Sequence, residues 1–249
     1  MTLKVLSYNI RYGGAGREEL LAAAIRERDP DVVVFQEATR PQVVERLAAA
    51  TGMKTWAARP GHSVGFISRL EIAHHEWHRP RGARHPFLEL VPAGTNIRIF
   101  GVHLSAVHSY WTERRRVREL HSLLGLVARH RETFHVLTGD FNTLAPGELL
   151  DTKRLPPRLR PLVWLSGGRV RYKTIQIMLD AGYSDGYRAL HPTDAGHTFP
   201  TWDPHVRLDY YFLPSRFAER LTACEVVNTG EASAKASDHF PLLAHFEIE

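Results

Sequence analysis

Short apolar runs that stop at a polar residue recur along the chain, beginning with Val5-Leu6-Ser7-Tyr8-Asn9 and Asp31-Val32-Val33-Val34-Phe35-Gln36-Glu37. The second is β-branched, continuous and preceded by Asp29-Pro30, a pattern that predicts a strand buried on both faces. Between them Leu20, Leu21, Ala24, Ile25 and Arg28 follow helical spacing, so a strand, helix, strand opening is expected. Val43, Val44, Leu47 and Ala48 predict another helix closed by Gly52, followed by strands over 63 to 68, 87 to 91 and 96 to 104. A long amphipathic helix is expected over 111 to 130. Leu120, Leu123, Leu124 and Val127 fall on one side of it, with Arg114, Arg115, Arg118 and Glu119 mostly on the other. A strand over 134 to 138 then delivers Gly139-Asp140-Phe141-Asn142. Beyond it come a helix near 174 to 181, stopped by Gly182, and strands over 207 to 213, 221 to 227 and 242 to 248. Such closely spaced strands imply antiparallel neighbours, with the helices as covers.

Composition narrows the class. The 249 residues are 43% hydrophobic and 24% charged, which excludes disordered, collagenous and coiled-coil chains. No repeat, low-complexity tract or linker is visible, and one domain over residues 1 to 249 is expected. The lone cysteine, Cys224, excludes an intramolecular disulfide and a thiolate zinc site, and points to a reducing compartment or to redox indifference. The longest uncharged apolar run, Leu20 to Ile25, is six residues, far short of a membrane span. The first residues run straight into a strand pattern without the form of a signal peptide, so a cytoplasmic location is expected.

A formal charge of +5, a pI near 9.5 and 15 histidines favour polyanions: nucleic acid, anionic headgroups or phosphorylated small molecules. Residues 152 to 173 hold seven basic side chains and no acidic one, interrupted by Pro156, Pro157, Pro161, Gly167 and Gly168. A basic surface loop is expected there, with a helical turn around Leu162 to Leu165.

The polar residues that close the apolar runs are of metal-ligand or acid–base types: Asn9, Glu37, His103, Asp140 with Asn142, and Asp209. Ser237-Asp238-His239 precedes the last strand. Each has an ordinary explanation alone: Asn9 or Asn142 as a turn cap, Glu37 as a helix-start carboxylate, His103 as a core histidine. Together they do not, because structural polar residues have no reason to sit at the exit of nearly every apolar strand. Strand ends cluster on one sheet edge, where distant residues converge.

These residues carry a family resemblance. Ser7-Tyr8-Asn9-Ile10, Phe35-Gln36-Glu37, Gly101-Val102-His103-Leu104, Thr138-Gly139-Asp140-Phe141-Asn142, Arg207-Leu208-Asp209-Tyr210 and Ser237-Asp238-His239 resemble, in order and spacing, the motifs of the endonuclease/exonuclease/phosphatase superfamily. The superfamily includes deoxyribonuclease I-like nucleases, abasic-site endonucleases, inositol polyphosphate phosphatases and bacterial sphingomyelinases. The fold implied is α/β: a four-layered sandwich of two mixed sheets packed face to face with helices outside.

Phosphate-ester hydrolysis requires charge neutralisation, an oriented water and a stabilised leaving oxygen. Glu37, with Asn9 and Asp238, offers the hard oxygen ligands that suit Mg²⁺ or Mn²⁺. By resemblance, Asp140 orients or deprotonates the attacking water and Asn142 hydrogen-bonds the phosphoryl group. Asp209 and His239 form a carboxylate–imidazole pair, with the imidazole as base, acid or electrostatic clamp. His103 is a second phosphate-contacting or acid histidine. Its usual glutamate partner in deoxyribonuclease I-like members has no counterpart in Val64-Gly65-Phe66-Ile67-Ser68.

Trp202, in Gly196-His197-Thr198-Phe199-Pro200-Thr201-Trp202, is a candidate for stacking on a base, or else packs under its own loop. The catalytic set is shared by enzymes of DNA, RNA, lipids and inositol phosphates, so substrate choice falls to loops. Arg154, Arg158, Arg160, Arg169 and Arg171 suit a phosphate backbone. Neighbouring Trp164 and Leu165 equally suit docking on an anionic membrane, the lesser alternative. The expected protein is therefore a divalent-metal-dependent phosphodiesterase and nuclease acting on DNA or RNA, without an obligate protein partner. Its rivals are a sphingomyelinase-like or inositol-phosphate phosphoesterase and, from another class, a catalytically silent nucleic-acid-binding module.

Overall fold

The computed structural model describes residues 1–106, 109–151, 153–154, 160–161 and 171–249. Most of the basic segment, including Arg158, Trp164, Leu165 and Arg169, lies outside them.

Two six-stranded mixed sheets form the body. The first contains β1 (Thr2–Asn9), β2 (Val32–Gln36), β3 (Thr55–Ala57), β4 (Gly65–Ser68), β11 (Leu221–Val226) and β12 (Leu242–Glu247), in the order β11-β12-β1-β2-β4-β3. The second contains β5 (Ile72–His78), β6 (Phe87–Pro92), β7 (Arg98–His103), β8 (His135–Asp140), β9 (Tyr183–Asp185) and β10 (Asp209–Pro214), in the order β5-β6-β7-β8-β10-β9. Each sheet has one parallel pair at its centre, β1 with β2 and β7 with β8; the other pairings are antiparallel. Both parallel pairs need a crossover, and helices supply it: α1 (Glu18–Arg28) after β1 and α3 (Tyr110–Val127) after β7.

Alternation along the strands builds the layers. Val5, Val32 and Val34 face inward, where they meet Leu88, Ile99, Val136 and Tyr211 of the second sheet. Leu6, Val33 and Phe35 face outward and are covered by α1 and by α2 (Pro41–Thr51) through Leu21, Ile25, Val43 and Leu47. On the opposite outer face Phe100, Val102, Leu137 and Phe212 pack under α3 and α4 (Lys173–Asp180) through Leu120, Leu123, Ile175 and Met178. Burial on both faces explains why β2 is apolar up to Gln36, whereas β8, equally buried, carries His135, Thr138 and Asp140 beside its apolar residues. Two shorter helices, α5 (Gly186–Leu190) and α6 (Glu231–Ala236), follow later in the chain. Helix boundaries follow local chemistry: Pro41 opens α2, Gly52 closes it in the left-handed conformation, and Ser109 caps α3 in a capping box with Thr112. Among the described residues no helix is long and apolar enough to cross a membrane.

Two expectations change. The face of α3 assigned to solvent is only partly wet: Arg114, Arg115 and Arg118 are exposed, whereas Arg116 and Glu119 are buried. Arg116 pairs with Glu113, whose carboxylate also accepts hydrogen bonds from Thr143 and Thr174; Glu119 accepts from Ser105. Loops returning over the first half of the helix thus convert polar positions into interior ones. In addition, Asp209 opens its strand instead of closing it. Because β10 runs antiparallel to β8, with Asp209 opposite Asp140, it still arrives at the same edge.

Candidate active site

That edge is where the candidate residues converge. Asn9 ends β1 and Glu37 follows β2 on the first sheet; His103 and Asp140 end β7 and β8 on the second, side by side in the parallel register. Gly139 is required for that pairing. Its φ of 140° lies outside the range side chains favour, and an added Cβ would lie 1.9 Å from the Val102 carbonyl oxygen. Gly101 does the same between the layers, where a Cβ would meet Val34 and Val64 at 2.8 and 2.7 Å.

Asp140 is the centre. Its Oδ1 accepts the Asn142 backbone N–H at 2.9 Å and its Oδ2 accepts the Asn9 side-chain N–H at 3.1 Å, a bond that joins the two sheets. His103 Nε2 and His239 Nε2 approach Oδ2 at 3.7 and 3.9 Å from two sides. Burial, countered by His239 but reinforced by Asp209, pushes the Asp140 carboxyl up to about 7. His239 Nδ1 donates to Asp209 Oδ2 at 2.9 Å. Burial presses the His239 ring toward neutrality, but the Asp209 carboxylate and its hydrogen bond outweigh it, with Asp140 and Asp238 adding to them, and hold the imidazole up at about 10. His103 is the opposite case: burial, together with His85 and His239, brings it down to about 3, and its ring is neutral. Asn142 sits in the left-handed conformation with its amide donating to the Leu104 carbonyl.

The first sheet contributes oxygen donors. Glu37 Oε2 accepts the Tyr12 N–H at 2.5 Å, Asn9 Oδ1 accepts the Arg11 N–H at 3.0 Å, and Asp238 Oδ2 pairs with Arg11 Nε at 3.2 Å. Among the described residues no three His, Cys, Asp or Glu side chains form a closed metal cage. The donors that fit a divalent ion are the half-buried Glu37 carboxylate and the neighbouring Asn9 and Asp238 oxygens; a guanidinium already resting on Asp238 shows that this corner attracts positive charge. All are hard ligands, and Cys224 is buried between the sheets away from them.

Trp202 is 67% exposed and does not pack under its own loop; it flanks the Arg11 guanidinium, 5.9 Å from its ring. The loop carrying it is tied to the His239 segment by Thr201 N to Asp238 O and Thr201 Oγ1 to Ser237 O. Of the basic candidates, Arg158 and Arg169 lie outside the described residues. Arg154 pairs with Asp203, Arg160 donates to the Lys153 carbonyl, and Arg171 lies over the Tyr110 ring at 5.3 Å.

Arg11 and Ser63 are site residues that sequence reasoning missed. Arg11 stands two positions after Asn9 with a positive φ, and Ser63 bridges Glu37 and His103. Arg207, noticed only as part of a motif, is a buried support. Its guanidinium forks onto Asp185 at 2.8 and 2.6 Å, reaches Glu148 at 2.8 Å and covers Tyr210, whose hydroxyl holds the Thr143 carbonyl next to Asn142. Arg207→Ala leaves the buried Asp185 carboxylate without its cation and the half-buried Glu148 with Arg188 alone. It is expected to destabilise the fold by about 3–5 kcal/mol in denaturant titration; a loss below 1 kcal/mol would mean that water replaces the guanidinium.

The family model described as Endonuclease/Exonuclease/phosphatase family matches residues 6–239, which include every residue of this edge. The chain belongs to that family. Comparison with curated protein sequences returns no significant match. Among solved structures the family member resembles an AP endonuclease from Archaeoglobus fulgidus, with 20% identity, TM-score 0.72 and coverage of 98% of this chain and 99% of that one. It also resembles a 3′ phosphatase from Neisseria bound to a product DNA hairpin, with 18% identity, TM-score 0.72 and coverage of 98% and 99%. A third is an endonuclease/exonuclease/phosphatase from Beutenbergia cavernae, with 20% identity, TM-score 0.71 and coverage of 99% and 72%. At these identities the likeness establishes the shared four-layered fold.

Proposed function

We propose that this family member is a divalent-metal-dependent phosphodiesterase whose substrate is nucleic acid, DNA in the first place and RNA as the alternative. The observation that carries this reading is the buried carboxylate Asp140 held between a neutral imidazole, His103, and a cationic one, His239. A carboxyl raised to about 7 is matched to proton abstraction near neutrality. Asp140 takes a proton from the attacking water as the water oxygen bonds to phosphorus and the ester P–O bond breaks. His239, oriented by Asp209, meets the negative charge that develops on the phosphoryl oxygens, and Asn142 offers an amide N–H to the same group. Glu37, Asn9 and Asp238 would hold Mg²⁺ or Mn²⁺, which when bound supplies charge neutralisation to the phosphoryl group and the leaving oxygen. The net charge of +5 and the exposed Trp202 beside the site favour a polyanion with stackable bases. The DNA hairpin bound by the Neisseria 3′ phosphatase supports the same choice.

The test is hydrolysis of a panel: plasmid, single strands, abasic duplex, RNA, sphingomyelin and a bis-aryl phosphodiester, each with Mg²⁺, Mn²⁺ or chelator. Cleavage of the nucleic acids is expected, with loss of about 10²-fold or more in chelator and in Glu37→Ala. Undiminished turnover after exhaustive dialysis into chelator would overturn the metal assignment, and turnover confined to sphingomyelin would overturn the substrate.

A further inference from the structure

His103 lacks the acidic partner that would make it a strong proton donor, and the structure reveals what stands in its place. Ser63 Oγ lies against His103 Nδ1 and accepts the Glu37 backbone N–H at 3.2 Å. Ser63 immediately precedes Val64 and β4 of the first sheet, whereas His103 ends β7 of the second, so the contact crosses the sandwich at the catalytic edge. A serine hydroxyl has one proton to give. With the Glu37 N–H filling an acceptor direction, no described acceptor other than His103 Nδ1 receives the Ser63 proton. Were Nδ1 protonated instead, the buried Ser63 hydroxyl proton would have no described acceptor, a costly arrangement. Nδ1 is therefore the acceptor, and the ring proton resides on Nε2, which faces Asp140 Oδ2 at 3.7 Å, too far for a direct bond but open to a third group.

The remaining surroundings keep that ring uncharged. His85 stacks on it in parallel, with centroids 5.1 Å apart and 6° between planes, and offers no carboxylate. His239 and Arg84 add positive charge nearby, and Asp140 is the acidic group that faces it.

We propose that Ser63 is a positioning residue that locks His103 as the neutral Nε2–H tautomer, so that His103 donates a hydrogen bond to a non-bridging phosphoryl oxygen instead of a proton to the leaving group. The role toward phosphate rests on the phosphodiesterase reading above; the tautomer does not. Ser63 also holds the backbone of Glu37, whose φ of 58° is left-handed, so one hydroxyl sets the first-sheet carboxylate and the second-sheet imidazole together.

Long-range ¹H–¹⁵N spectra of histidine-labelled protein without substrate read the tautomer directly, whether or not any substrate is cleaved. A neutral His103 protonated on Nε2 from pH 5 to 9 is expected, with the tautomer preference weakened in Ser63→Ala and retained in Ser63→Thr. A cationic ring or an Nδ1–H form in the wild type would overturn the assignment. In kinetics, Ser63→Ala should lower kcat about 10-fold with little change in KM, and Ser63→Thr should recover most of the loss. His103→Gln, which keeps an N–H donor, should cost a similar factor for diesters with good and with poor leaving groups. A far larger loss on poor leaving groups would make His103 the leaving-group acid and refute the hydrogen-bond role even if the tautomer is as stated. Failure of the whole panel to turn over would count against the phosphodiesterase reading alone.

Discussion

Asp140→Asn is expected to lower kcat by about 10³-fold while the protein stays folded and still binds substrate. The asparagine carbonyl can keep the Asn142 N–H, but its amide then meets the Asn9 amide donor to donor at the former Oδ2 position. That mismatch costs about 1–3 kcal/mol, and removal of a buried charge offsets part of it. The chemical step has no such compensation, because an amide cannot take the proton of the attacking water. Single-turnover rates beside equilibrium binding to an uncleaved oligonucleotide separate the two effects. A loss seen only in KM would show that Asp140 serves binding and not proton transfer.

His239→Ala should cost about 10²–10³-fold in kcat, and Asp209→Ala nearly as much, yet the double variant should be little worse than His239→Ala. The reason is geometric: Asp209 acts through the 2.9 Å bond to Nδ1, which orients the ring and keeps it cationic. The wild-type rate should rise with pH as Asp140 ionises at about 7 and fall as His239 loses its proton at about 10. In Asp209→Asn the ring loses its main counter-charge, so the alkaline fall should move downward. An alkaline limb that stays in place, or additive losses in the double variant, would dissolve the pair.

Residues at strand exits were legible because an apolar run that stops at Asn, Glu, His or Asp marks both the strand and its end. Asn9, Glu37, His103 and Asp140 could be placed on one edge for that reason. Asp209 was reached by the right address and the wrong polarity, since strand direction depends on pairing. Arg11 and Ser63 carry no signal, because an arginine after a strand and a serine at the first position of an expected strand look like ordinary polar boundary residues. What makes them site residues is a left-handed turn in one case and contact between sheets in the other. The edge strand β5 was missed because Ala73-His74-His75-Glu76 is polar and exposed, with Trp77 its one fully inward anchor. Glu119 reads as surface because helical position alone does not reveal a loop folding back over it.

The bonds from Asn9 to Asp140 and from Ser63 to His103 tie one sheet to the other at the catalytic edge. Neither sheet holds a complete site, so the reacting geometry is a gauge of how the layers are stacked. A slip of the sandwich by a fraction of an ångström would detune the chemistry long before it exposed the core. Repacking the interior between Val34, Val64 and Gly101 is thus expected to adjust turnover without touching a single polar residue.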